Sequence, residues 1–254
     1  MNARIIFLAV VAIFLGSGPA IAQEYPPSGA PAAWSPPIDD SRTYTFVQVD
    51  RSELRFGKGD PRYLLDSQGW IGTDANKLWV KAEAEAEGQF GAGRGLEQAE
   101  VQGLYSRMVT SFFDFQAGIR QDVGPGPSPT YAVIGLQGLA PYWFEVDSAL
   151  FLSDDGDLTA RVEVEYDLLF TQRLIGQPRL EVNLAAQDVP KLGIGAGLST
   201  LELGFRLRYE FRREVAPYIG VSWEQALGDT ADFRRAAGER ASVTSFLVGI
   251  RLWF

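Results

Sequence analysis

A transmembrane, antiparallel, up-and-down β-barrel of about twelve strands is the all-β fold class this sequence predicts. Three observations carry the reading. Within 157–187 (DLTARVEVEYDLLFTQRLIGQPRLEVNLAAQ), Leu158, Ala160, Val162, Val164, Tyr166, Leu168 and Phe170 alternate with Thr159, Arg161, Glu163, Glu165 and Asp167. The alternation resumes with Leu180, Val182 and Leu184 against Arg179, Glu181 and Asn183. Successive side chains of a strand point to opposite faces, and these two strands are about twice the usual 5–6 residues. One face is continuously apolar and the other charged, as a lipid-facing exterior and a wet interior require. The second observation is that short and long connections alternate along the chain. The third is that aromatic residues gather beside the short connections, and the chain ends on the aromatic Phe254.

The pattern places strands at 43–56, 61–71, 76–90, 96–109, 111–123, 130–140, 142–153, 157–171, 173–187, 198–212, 215–226 and 243–254. The connections near 71–76, 109–111, 140–142, 171–173 and 212–215 are short. Those near 88–95 (GQFGAGRG), 123–130 (VGPGPSPT), 187–198 and 227–242 are longer, Gly- and Pro-rich or charged. Outer-membrane barrels have tight periplasmic turns and longer outer loops. An even strand count then puts both ends of the barrel on the periplasmic side.

Parity names the faces. Leu78, Val80, Tyr105, Phe115, Ile119, Leu150, Leu203, Phe205, Ile219, Val221, Phe246 and Val248 are expected to face lipid. Trp70, Phe112, Tyr142, Trp143, Phe170, Phe211 and Trp253 are expected to form a girdle at the membrane boundary. A soluble sandwich would also alternate, but with shorter strands and its charged face in water. The opposite parity gives a lumen containing Lys81, Glu83, Glu85, Glu100, Glu145, Asp147, Arg161, Glu163, Glu165, Arg179, Glu181, Glu202, Arg206, Arg208 and Arg251. Barrels of about eight strands are filled by side chains and those of 16 hold channels, so twelve lies between. Two readings follow: a salt-bridged plug that stiffens the barrel, or an acidic path for cations.

Residues 1–22 read as a cleaved signal peptide: Arg4, an apolar core from Ile5 to Leu15, and the small-x-small site Ala20-Ile21-Ala22. That core is too short to span about 30 Å of hydrocarbon as a helix. Residues 23–41 form a Pro-rich leader, expected to be disordered, and 42–254 the barrel.

The 254-residue chain carries a net charge of −9, and loss of Arg4 with the signal makes it more acidic. With no basic run, nucleic acid is not an expected partner. Cysteine and histidine are both absent. Disulfides and thiolate metal sites are therefore impossible, and a Ser-His or Asp-His catalytic site cannot be assembled. No Gly-rich phosphate loop opens a helix. The chain is expected not to be an enzyme and to require no cofactor.

Several blocks resemble the copper resistance protein B family of outer-membrane proteins (CopB/PcoB type). They include GWIGTDANKLWVKAEAE (69–85), EVQGLYSR (100–107), GLAPYWFEVDSALFLSDDG (138–156) and EYDLLFTQRLIGQPRLEVNL (165–184). The segments at 193–239 and GIRLWF (249–254) match as well. The resemblance covers about 69–254. It implies an outer-membrane role in copper tolerance, with outer-membrane lipid, copper ions and periplasmic copper-resistance proteins as partners. The family's leader is commonly rich in Met and His, whereas 23–41 contains neither.

Cu(I) favours thioether and thiolate, and Cu(II) favours imidazole. After Met1 leaves with the signal, Met108 is the one soft ligand candidate. The candidate metal ligands are otherwise lumen carboxylates: Glu83, Glu85, Glu145, Asp147, Glu163 and Glu165. Carboxylates are hard donors, so the expectation is weakly bound Cu(II) and no tight Cu(I) site. The competing expectation is a structural or general diffusion barrel with no metal role.

Overall fold

The computed structural model describes residues 42–88 and 95–254. The signal peptide and Pro-rich leader expected at 1–22 and 23–41 lie outside the described residues, as does most of the 88–95 loop. Twelve strands form one closed antiparallel barrel. They are β1 (Tyr44–Phe56), β2 (Arg62–Gly72), β3 (Asn76–Glu87), β4 (Leu96–Met108), β5 (Phe113–Val123), β6 (Thr130–Ala140) and β7 (Phe144–Ser153). Next come β8 (Leu158–Glu165, resuming at Leu168–Leu169), β9 (Leu174–Ala185), β10 (Gly197–Tyr209), β11 (Val215–Ala226) and β12 (Ser242–Trp253). Each strand pairs with its sequence neighbours, and β1 closes the ring on β12, from Gln48 opposite Trp253 to Phe56 opposite Phe246. Closure leaves no sheet edge with unpaired backbone groups, the condition for a sheet to sit in hydrocarbon.

The connections sort by end. At one end lie 73–75, 109–112, 141–143, 170–173 and 210–214, all short, together with both ends of the barrel. At the other lie 57–61, 124–129, 154–157, 186–196 and 227–241, with Gly88 and Gly95 at the ends of β3 and β4. Read as a loop from sequence, the last of these holds a helix, α1 (Gly228–Ala236). Its Thr230 and Ala231 are buried, and the Thr230 hydroxyl accepts a hydrogen bond from the Gly195 amide at 2.8 Å. Arg234 reaches back to Glu224 on β11 at 2.6 Å. Nine residues with weak helical amphipathicity give little sequence signal; packing against the 186–196 loop selects the helix.

Two local irregularities have identifiable causes. The interruption of β8 at 166–167 lies opposite Pro178 of β9. The Tyr166 amide donates to the Pro178 carbonyl at 3.2 Å, but proline has no N–H to return the bond. Register is the same on both sides of the gap, since Glu165 faces Arg179 and Leu169 faces Ile175. In β1 the register shifts between Val49 and Ser52 against β12, and between Val49 and Arg51 against β2. This bulge inserts one residue. Gln48 and Asp50 point inward before it, and Arg51, Glu53 and Arg55 after it, so simple alternation fails in this strand.

The outward face follows the expected parity. Leu78, Tyr105, Phe115, Ile119, Leu150, Leu203, Phe205, Ile219, Val221, Phe246 and Val248 are all exposed. Of the expected girdle, Phe112, Tyr142, Trp143, Phe170 and Phe211 are exposed at the short-turn end. Trp70 and Trp253 depart from it: both share the parity of lumen residues, Gln68 and Arg251, and both line cavities inside the barrel. Nearness to a short turn does not decide which face a ring takes. Parity does.

Candidate functional site

The strand register lines up carboxylates in rows across the inner wall. Asp147, Glu163, Glu181, Glu202 and Glu224 are successive cross-strand partners from β7 to β11. Asp66, Glu83, Glu100 and Asp122 do the same from β2 to β5. Like charges directly opposite each other destabilise a sheet, so the rows require interleaved cations. Arginines supply them. Arg179, 2% exposed, lies 2.5 Å from Glu163 and Glu181, 3.2 Å from Glu165 and 3.5 Å from Glu202. Arg55 joins Glu202 (3.1 Å) to Glu53 (2.7 Å), and Arg206 meets Glu53 through two hydrogen bonds. The Tyr218 hydroxyl donates to Glu53 at 3.0 Å, its ring lying where a Cβ at Gly249 would be.

On the other row, Arg161 forks onto Glu100 with two 3.0 Å bonds. Arg120 pairs with Glu100 (2.7 Å) and Asp122 (2.6 Å), and Arg51 with Asp66 (2.8 Å). Arg51 and Arg161 each lie 3.7 Å from Glu83. Planar guanidinium groups suit this bridging because each offers several donors in a fixed fork. The result is a belt of ion pairs across the mid-lumen. Beside it an apolar cluster of Leu104, Tyr131, Val133 and Phe151 faces inward, with Arg120 over the Tyr131 and Phe151 rings at 5.0 and 4.9 Å. The interior is therefore less uniformly charged than its polar residues alone suggest.

From the belt toward the short-turn end, the lumen widens into a cavity of about 700 Å³. We call it the vestibule. Asp74 and Phe112 of the short turns stand at its mouth, and Glu83, Glu100 and Arg161 of the belt form its floor. Of the sequence-derived metal candidates, Glu83, Glu145, Asp147, Glu163, Glu165 and Met108 all line it. Glu85 does not, and pairs instead with Arg62 at 3.1 Å toward the long-loop end. Asp147 is engaged by Lys81, Glu163 by Arg179, and Glu165 by Gln177 and Arg179. Glu145 stands opposite Glu165 in register and makes no ion pair or side-chain hydrogen bond among the described residues. No group of three or more carboxylates converges tightly enough to cage a metal among the described residues. The parity argument missed Asp50, Asp66 and Arg51 as cavity residues because of the β1 bulge and the less regular pattern of β2.

A closed barrel of twelve strands, with an apolar outer band and a polar interior, defines a membrane β-barrel of the outer-membrane type. Its fold is similar to that of the KdgM porin, at 12% identity and a TM-score of 0.52 over 83% of this chain and 99% of that one. It is also similar to the NanC porin, at 11% identity and a TM-score of 0.55 over 81% and 98%. At such identity the likeness is one of fold. The sequence places the chain more narrowly: residues 43–254 match the model of the copper resistance protein B precursor (CopB) family. The chain is 42% identical to copper resistance protein B of Escherichia coli over 217 residues, which are 85% of this chain and 72% of that protein. It is 40% identical over the same shares to the homologue from Pseudomonas syringae pv. tomato. The chain belongs to the copper resistance protein B family, and its role lies in copper resistance.

Proposed function

We propose that this barrel sits in the outer membrane and takes copper ions, as weakly held Cu(II), into its acidic vestibule as a step in their passage or retention. The observation that carries the reading is the gathering of Glu145, Glu165, Asp147, Glu163 and Glu83 around one cavity. Periplasmic turns are the short ones in such barrels, so the vestibule opens toward the periplasm, where copper-resistance proteins of that compartment would meet it. Glu145 and Glu165 are the first oxygen donors offered, because Glu145 makes no ion pair of its own among the described residues and Arg251, which lines the same cavity, is paired with Asp50. With neither His nor Cys in the sequence, binding stays weak and favours Cu(II) over Cu(I). The role is binding and passage rather than catalysis.

The general diffusion reading fits less well, because the arginine–carboxylate belt crosses the lumen that a solute would use. Onward passage requires the belt to rearrange. The cell-level test uses a deletion strain complemented with variants. Glu145→Gln with Glu165→Gln should lower copper tolerance and alter periplasmic copper content, while the protein still fractionates with outer membranes and shifts mobility on heating. Met108→Leu should leave tolerance unchanged. If Met108→Leu alone removed tolerance, a thioether site would replace the carboxylates. If neither change mattered in a folded barrel, the passive-barrel reading would stand instead.

A further inference from the structure

The vestibule contains more than carboxylates. Trp253, Phe46, Trp70 and Trp79 stand side by side on β12, β1, β2 and β3, their ring centroids 6.0–6.4 Å apart from one neighbour to the next. Phe46, Trp70 and Trp79 line the vestibule near its short-turn mouth, and Trp253 lines a smaller cavity that shares Phe46 with it. The chain seats one primary ammonium of its own on this row: Lys77 Nζ lies 5.7 Å from the centre of the Trp70 ring and 2.6 Å from Asp114. A ring face and a carboxylate together are what an alkylammonium ion selects.

The opposite wall is acidic. An ion pair between Lys81 and Asp147 ties β3 to β7 across the lumen. One inward position nearer the mouth, β3 presents Trp79 and β7 presents Glu145, with Glu165 beside it on β8. The slot thus has rings on one side and, on the other, Glu145 without an ion pair among the described residues beside Glu165, which Arg179 holds at 3.2 Å; Arg251 lines the same slot and is paired with Asp50. The slot's volume, about 700 Å³, falls within the range of small-molecule sites.

We propose that the vestibule binds linear alkylammonium ions of the diamine and polyamine class. Their methylene stems lie along the aromatic row, and their ammonium groups meet Glu145 and Glu165. Long cationic side chains behave the same way on protein surfaces, laying the stem on apolar groups while the head stays polar. A hydrated metal ion has no stem and gains little from the rings. The inference shares the vestibule with the copper reading but rests on the rings rather than on metal donors.

The test titrates the full barrel in detergent, without copper, with 1,4-diaminobutane and spermidine, read by calorimetry and tryptophan fluorescence. The controls are 1,4-butanediol and Mg²⁺ at matched ionic strength. Saturable binding is expected for the amines, none for the diol, and weaker association for Mg²⁺. Trp70→Leu and Glu145→Gln should each weaken amine binding by roughly fivefold or more. Trp70→Leu should leave Cu(II) association unchanged in a separate titration. Phe46→Leu serves as a second ring variant should Trp70→Leu fail to fold. Equal binding of Mg²⁺ and diamine, ring variants without effect, or no amine binding by the folded barrel would each overturn the inference. Cu(II) association without amine binding would sink this inference alone, and the reverse result would sink the copper reading alone.

Discussion

Arg179→Met should cost the barrel more than any other single change on its inner wall. The side chain is 2% exposed and contacts Glu163, Glu165, Glu181 and Glu202 at 2.5–3.5 Å. Its removal leaves Glu163 and Glu165 on β8 with no guanidinium in contact among the described residues, opposite Glu181 and Glu202, which keep only Arg161 at 3.9 Å and Arg55 at 3.1 Å. Breaking a buried ion pair by deleting one partner costs about 3–5 kcal/mol, because the remaining charge is buried and unpaired. Here four carboxylates share the deleted partner. Arg179→Met should therefore lose the compact form that migrates differently on unheated gels, and lower the urea midpoint of refolded protein. Arg179→Lys should fall between, since one ammonium cannot fork onto several carboxylates. Adding Glu163→Gln and Glu181→Gln to Arg179→Met should recover much of the loss by removing the unpaired charges. Wild-type stability for Arg179→Met alone would show that the belt does not hold the inner wall together.

The outer wall yields the second large effect. Val164, Leu180 and Leu203 are cross-strand neighbours on β8, β9 and β10, and Leu203 is 45% exposed to the surroundings. In lipid vesicles, Val164→Arg or Leu203→Arg should destabilise the barrel by about 2–4 kcal/mol, the cost of a guanidinium near the bilayer midplane. The adjacent Glu163→Gln should cost about 1 kcal/mol, since the amide still bonds to Arg179, which keeps its other partners. Neighbouring residues one position apart thus differ severalfold, because parity sends one into hydrocarbon and the other into the lumen. Equal tolerance of Val164→Arg and Glu163→Gln in urea titrations would refute the register.

The sequence by itself determined the barrel, its twelve strands and the faces of most residues. Strict alternation is a one-dimensional signal, and in a closed sheet it maps directly onto lipid and lumen. Within those limits it also picked out Glu83, Glu145, Asp147, Glu163 and Glu165, which the fold gathers around one vestibule. Only the tertiary structure decided the rest. The β1 bulge, which turns Asp50 and Arg51 inward together, depends on how β1 pairs with two different strands. The inward turn of Trp70 and Trp253 was masked by their nearness to short turns, which suggested a girdle. The separation of Glu85 from the other candidates depends on its height in the barrel and on Arg62 beside it. Which carboxylate each arginine holds depends on strand tilt and register, so partners such as Arg206 and Glu53, or Arg55 and Glu202, meet across more than a hundred residues of chain. Alternation fixes the face a side chain takes. It carries no record of what stands across the lumen, and that decides which charges are paired and which remain free.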